Sequence, residues 1–175
     1  MAAPHKKPNS AYKVFVINAS NLKKDKNKWL VRSVFQGENL DYLEGLQKKD
    51  CMVAITSDNK VVHISFVQFE TSYKKLLNEL DDTPLIGNCW TSKEHRGKGL
   101  YPYANFRCCD EIARKGYERI IISCAPENTS SIAGIKKSGF LKVREVKTFS
   151  ILTKLYFQKI IPQEKISNKY KIGIL

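Results

Sequence analysis

The residues Lys93-Glu94-His95-Arg96-Gly97-Lys98-Gly99 set two glycines among a histidine and three cations, directly before a helical pattern. A strand, a short glycine-containing loop and a helix in this order present unpaired main-chain N–H groups and the positive end of a helix dipole to an anion. Glycine suits the loop because a side chain would block close approach, and Lys93, His95, Arg96 and Lys98 add positive charge, so the chemistry is that of phosphate binding. Two familiar phosphate loops do not fit. A P-loop needs glycine where Ser92 stands and Ser or Thr where Gly99 stands, and a dinucleotide fingerprint needs a further glycine where Pro102 stands.

The elements that must hold this loop follow from pattern. A strand is expected over 85–91, ahead of the loop and after the breaker Asp81-Asp82-Thr83-Pro84. Behind the loop, Leu100, Ala104, Cys108 and Ile112 recur every four residues and predict one apolar stripe on a helix ending near Gly116. Ile120-Ile121-Ile122 reads as a strand buried on both faces, and Asn128 to Ser138 as a helix closed by Gly139. Upstream, Tyr12 to Ile17 reads as a first strand. Cys51 to Ile55 and Lys60 to Phe69 read as a hairpin about Thr56-Ser57-Asp58-Asn59. Helical patterns fall over Leu22 to Val34, Leu40 to Lys49 and Tyr73 to Leu80. Strands over Phe140 to Val146 and Phe149 to Phe157 would complete a mixed sheet. The class is α+β, one domain of 175 residues, with a lysine-containing tail from Pro162 expected to be less ordered.

Composition narrows the classes further. Thirty Lys and Arg against 17 Asp and Glu give a net charge of +13, which attracts polyanions without choosing among nucleic acid, anionic lipid headgroups, nucleotide-sugars and coenzyme A. No apolar stretch approaches the ~18 residues of a membrane helix, and Met1 to Ser10 is polar, so a soluble cytoplasmic protein is expected. Cys51, Cys89, Cys108, Cys109 and Cys124 are odd in number and sit mostly in apolar segments, as reduced thiols do. They and the histidines lack metal-ligand spacing, so no metal is expected.

The loop Glu94-His95-Arg96-Gly97-Lys98-Gly99 resembles the acetyl-CoA loop of the GNAT superfamily of N-acetyltransferases, Gln/Arg-x-x-Gly-x-Gly/Ala. The downstream order of Ile120 to Cys124, Asn128 and Gly139-Phe140 matches the same family's strand, asparagine and helix ending in Gly-Phe. The resemblance implies a GNAT fold: a central, mostly antiparallel sheet of about six to seven strands flanked by helices, with strands four and five splayed to admit the pantetheine arm. It implies acetyl-CoA as co-substrate, held by strand residues Cys89, Trp90 and Thr91, by N–H groups of Arg96, Gly97, Lys98, Gly99, Leu100 and Tyr101, and by Asn128. For Trp90, ordinary core packing is an equal reading.

Two departures stand out. Glu94 replaces the opening Gln or Arg, and Ile135 occupies the position where many members carry a tyrosine that protonates the departing thiolate. Candidates for the acid-base work are His63 and Glu70, on and just past the third strand beside the implied acceptor site, and Tyr101 as a donor to the thiolate. For His63 the plainer reading is a hydrogen-bonded core histidine. Cys89 has no histidine or acidic partner nearby in sequence, as a nucleophile would need.

The reaction implied is direct attack of a neutral amine on the thioester in a ternary complex. Gly-Leu-Tyr-Pro after the loop resembles members acting on amino sugars, and the positive charge suits an anionic acceptor such as a nucleotide-amino sugar. A homodimer is compatible with this reading. The competing class is a non-catalytic module, either an acyl-CoA sensor or a basic nucleic-acid binder. Against the nucleic-acid form, the chain has no interleaved aromatic and basic recognition motif.

Overall fold

The computed structural model describes residues 7–22, 46, 49–71, 73–79, 82–151, 155–162 and 169–174. Two compact units are distinguished: residues 1–70 with 82–140, and residues 71–81 with 141–175. The helices expected over Leu22 to Val34 and Leu40 to Lys49 lie almost wholly outside the described residues.

The first unit is built on a sheet of five strands in sequence order: β1 (Lys13–Asn18), β2 (Cys51–Ser57), β3 (Lys60–Gln68), β4 (Leu85–Thr91) and β5 (Ile121–Ile122). The first four are antiparallel neighbours, and β5 joins β4 in parallel. A one-turn helix, α1 (Ala19–Leu22), follows β1. The β2–β3 hairpin turns at Asp58 and Asn59, whose φ of 49° and 59° are those of a two-residue turn with both central residues left-handed. Short polar side chains tolerate that conformation, which is why this sequence turns there.

Alternation along β2 sends Cys51, Val53 and Ile55 to one face and Met52 and Ala54 to the other, and each face has its own apolar cluster. The first cluster is closed by α3 (Leu100–Arg114), which inserts Leu100, Ala104, Cys108 and Ile112, all 0–1% exposed. The expected stripe is therefore the buried one. Full burial of a Leu or Ile is worth roughly 1.5–3 kcal/mol, so this docking anchors the first turn of α3 against β2, β3 and β4. Helix α4 (Thr129–Lys137) follows β5 and touches α3.

In the second unit, α2 (Tyr73–Leu76) is shorter than the helix expected to Leu80, and Asn78 soon follows at φ 53°. Three antiparallel strands, β6 (Arg144–Ile151), β7 (Leu155–Pro162) and β8 (Lys169–Ile174), form a separate sheet. Arg144 donates to the carbonyl of Leu77 at 3.0 Å and is ion-paired with Glu79. The strands expected over Phe140 to Val146 and Phe149 to Phe157 are thus displaced along the chain. Lys147-Thr148 has no residue with a turn preference, so β6 runs through it and Phe149 pairs with Phe157. In the first unit, β5 is only two residues long. Ile121 and Ile122 are accordingly half-buried, not enclosed on both faces.

Candidate active site

Strand β4 is where the sheet opens. Leu85 pairs with Ile121 and Ile86 with Ile122, and beyond that point β5 ends while β4 runs on through Gly87, Asn88, Cys89, Trp90 and Thr91. On its other edge β4 stays paired with β3, but the register slips. Phe66 faces Gly87 and Ile64 faces Trp90, so Asn88 and Cys89 stand opposite the single residue Ser65. Asn88 takes up the bulge at φ 49°. A bulged strand with one free edge, beside a parallel partner that stops, makes a wedge closed at Leu85 and Ile86 and open toward Thr91.

The glycine turn lies at the open end. After Thr91 a single 3₁₀ turn (Lys93–His95) leads through Arg96 to Gly97 at φ 74° and Gly99 at φ 77°, and Gly99 is the N-cap of α3. Both values lie in the left-handed region, so glycine is required first by the backbone. A Cβ built on either glycine would meet nothing within 4 Å, so the turn faces open space, as an approaching ligand needs.

Lys93, Arg96 and Lys98 are exposed around it. The turn is tied down by Arg96, whose Nε donates to the Thr91 carbonyl at 3.2 Å, and by a 3.0 Å hydrogen bond between the Tyr12 hydroxyl and His95 Nδ1. At its base, Ser92 Oγ is buried with no hydrogen-bond partner. Free main-chain donors at a helix start, cations and an unpaired hydroxyl suit a diphosphate.

Tyr101, in the first turn of α3, projects toward the space between the parted strands. It interacts with Cys89 of β4 on one side and with Cys124, just past β5, on the other. Its ring rests on Gly134 of α4, where an added Cβ would come within 2.8 Å of Cε1. Burial chiefly, then the neighbouring Cys89, raises the Tyr101 phenol well above its ordinary value, while Asn105 pulls the other way. The hydroxyl therefore stays protonated at any physiological pH and can act as a donor.

His63 is placed differently from a base. It is fully buried, with Nδ1 2.8 Å from Thr91 Oγ1, Nε2 3.0 Å from Ser65 Oγ, and its ring 5.9 Å from that of Tyr101. Burial holds its pKa down at about 3, so the ring is neutral and orients two hydroxyls. Glu70 is exposed past the far end of β3, roughly 23 Å along the strand from His63 at ~3.3 Å per residue, so these two candidates do not share a site.

The Cys89 thiol is pushed up to about 11 by burial, against the effect of hydrogen bonds with Ser65 and Tyr101, which suits an inert thiol better than a nucleophile. Trp90 packs with the cluster on the face opposite α3, leaving its main chain in the wedge. Asn128 caps α4, its Oδ1 accepting from Ser131 N at 3.0 Å, so only its Nδ2 is left to reach a ligand.

Four residues of this neighbourhood escape a reading of the sequence: Ser65, Asn105, Gly134 and Ser138. Asn105 alone left a trace, as a polar residue beside an apolar stripe. Among the described residues no three His, Cys, Asp or Glu side chains gather as metal ligands would, and no helix is long and apolar enough to cross a membrane. All five cysteines are free.

No family model matches the sequence, and comparison with curated proteins gives no match. Solved structures do match. The chain is similar to the aminoglycoside acetyltransferase AAC(6')-Iy, solved with the bisubstrate analogue CoA-S-monomethyl-acetylneamine, at 16% identity and a TM-score of 0.61 over 81% of this chain and 99% of that one. It is similar also to the aminoglycoside 6'-N-acetyltransferase AAC(6')-IG of Acinetobacter haemolyticus, at 14% identity and a TM-score of 0.55 over 79% and 97% of the two chains. A third likeness is to glucosamine-6-phosphate N-acetyltransferase of Arabidopsis thaliana, at 16% identity and a TM-score of 0.51 over 81% and 98%. With the parted strands and the glycine turn, these likenesses identify the fold of the chain as that of the GNAT N-acetyltransferases.

Proposed function

We propose that this protein is an acetyl-CoA-dependent N-acetyltransferase acting on a primary amine of a small anionic amino sugar. The observation that carries the reading is the wedge between β4 and β5, open toward the turn at Gly97 and Gly99 and fronted by Tyr101. In this reading the N–H groups from Gly97 to Tyr101 hold the diphosphate, with Lys93, Arg96 and Lys98 beside them, the Arg96 N–H itself being directed to the Lys93 carbonyl. The free edge of Cys89, Trp90 and Thr91 receives the pantetheine arm, and Asn128 supports it through Nδ2.

Acetyl-CoA supplies an activated thioester carbonyl. The amine nitrogen bonds to that carbon, the carbon–sulfur bond breaks, and the sulfur leaves with a proton from the Tyr101 hydroxyl. Tyr101 thus does from α3 what Ile135 on α4 cannot do. The proton lost by the amine passes to water and restores the phenol through solvent. An amine with a pKa near ~7.8 already has a large neutral fraction at pH 7 and needs little help from a base.

The acceptor class follows from charge and from the neighbours together. The similar structures include enzymes named for aminoglycosides and for a sugar phosphate. A surface of net charge +13 repels a polycationic aminoglycoside and draws in an anionic sugar, which favours the second kind. Release of free thiol from acetyl-CoA, followed with a panel of phosphorylated and nucleotide-linked amino sugars, aminoglycosides, polyamines and peptides, tests this. Turnover confined to the anionic amino sugars is the expected result, and silence across the panel overturns it. Ile135 favours one second reading, a non-catalytic acyl-CoA sensor, which would bind coenzyme A tightly in calorimetry yet release no thiol with any amine.

A further inference from the structure

Asn105 is out of place by the logic of a core. It lies one turn beyond Tyr101 on α3, beside the stripe of Leu100, Ala104, Cys108 and Ile112, and it is 0% exposed. Its Oδ1 has no partner. An unsatisfied buried polar atom is destabilising, and an apolar residue would pack there without that cost, so packing alone does not account for an amide.

Its other contacts run from α3 to the end of α4. Asn105 Nδ2 donates to Ser138 Oγ at 3.0 Å, and Ser138 Oγ donates to the carbonyl of Gly134 at 2.8 Å. Gly134 is the residue on which the Tyr101 ring lies, and Asn105 stands one turn from Tyr101 on the same helix. Ser138 is itself 2% exposed, so water does not compete for these bonds. The consequence is geometric: the helix carrying the phenol and the helix beneath the phenol are locked together at that ring.

We propose that Asn105 and Ser138 are positioning residues that aim the Tyr101 hydroxyl into the wedge between β4 and β5. The proposal rests on the reading of Tyr101 as proton donor. Removing either residue leaves α3 docked through its apolar stripe but frees the ring to tilt away from the sulfur. Helix-to-helix adhesion alone would predict lost stability with an unchanged Tyr101.

The test uses protein labelled with ¹³C at tyrosine Cζ, with the Tyr101 resonance assigned by its loss in Tyr101→Phe. Spectra are taken free, with coenzyme A and with desulfo-coenzyme A, for the parent protein, Asn105→Ala and Ser138→Ala. The parent is expected to respond to coenzyme A but not to the desulfo form. Both variants are expected to lose that response while binding coenzyme A within about threefold of the parent.

If both variants keep the parent resonance, free and with coenzyme A, the positioning role is overturned. If the resonance moves in the variants but the parent answers coenzyme A and its desulfo form alike, the positioning link stands and the proton-donor reading falls. Circular dichroism checks folding, and Ser138→Ala, which leaves α3 untouched, carries the comparison if Asn105→Ala does not fold.

Discussion

The ring of Tyr101 lies so close to Gly134 that the smallest side chain would collide with it, at 2.8 Å from Cε1. The two residues are on different helices, and the absence of a Cβ on one sets where the phenol of the other can sit. Gly134→Ala should therefore displace Tyr101. Alanine is favoured over glycine inside a helix by about 1 kcal/mol, which offsets much of the packing conflict, so the melting temperature should change little. Turnover should fall by roughly tenfold or more, as a small misplacement of a reacting group does. Steady-state kinetics beside a thermal melt separate the two effects; unchanged kcat would mean that the ring has another way to reach the wedge.

The glycine turn predicts a loss of a different kind. Gly97 and Gly99 have positive φ, and a β-branched residue there costs on the order of 1–3 kcal/mol of local strain while pushing side-chain atoms into the space the diphosphate would take. Gly97→Val and Gly99→Val should weaken coenzyme A binding by at least about tenfold in calorimetry, about 1.4 kcal/mol. Secondary structure should persist, because the apolar stripe of α3 starts only at Leu100. Affinity unchanged in both variants would remove the turn from the binding site.

Tyr101→Phe keeps the ring on Gly134 and deletes only the hydroxyl. A general acid is worth roughly 10²–10⁴-fold, so kcat should drop within that range while the affinity for coenzyme A stays near that of the parent. A fall confined to affinity would make Tyr101 a binding residue, not a donor.

Buried His63 predicts how stability depends on acid. Its pKa in the folded protein is about 3, below the ordinary 6.5, so between these values the unfolded chain binds a proton that the folded one does not. Stability is then complete above pH 6.5 and declines as pH falls toward 3, at up to about 1.4 kcal/mol per pH unit. Urea midpoints from pH 7 down to pH 4.5 should show this decline, and His63→Gln, which retains hydrogen-bonding groups for Ser65 and Thr91, should flatten it. An equal decline in the variant would assign the acid sensitivity to other groups.

Much of this was legible because local chemistry writes itself into short stretches of residues. Strand β4 falls on the expected residues 85–91, α4 lies within the expected 128–138, and Leu100, Ala104, Cys108 and Ile112 are the buried stripe. The left-handed glycines at 97 and 99 sit where a helix start needs them. What misled was chemistry that depends on partners. His63 lies on the third strand and Glu70 just past it, yet the extended backbone between them holds them far apart. The bounds of the strands after Gly139 differ from the expected ones because no residue at Lys147-Thr148 marks a turn, and β6 runs through it.

The sequence by itself determined the glycine turn, the helix behind it and the order of strands around it, since each depends on backbone preference and on apolar period within a few residues. Only the tertiary structure decided the rest. It placed Cys89, Tyr101, Asn105, Gly134 and Ser138 in one neighbourhood, buried His63 between two hydroxyls and parted β4 from β5 beyond Ile86. Those contacts join residues up to dozens of positions apart, and no local preference records them: they exist because two helices and a bulged strand pack against one core.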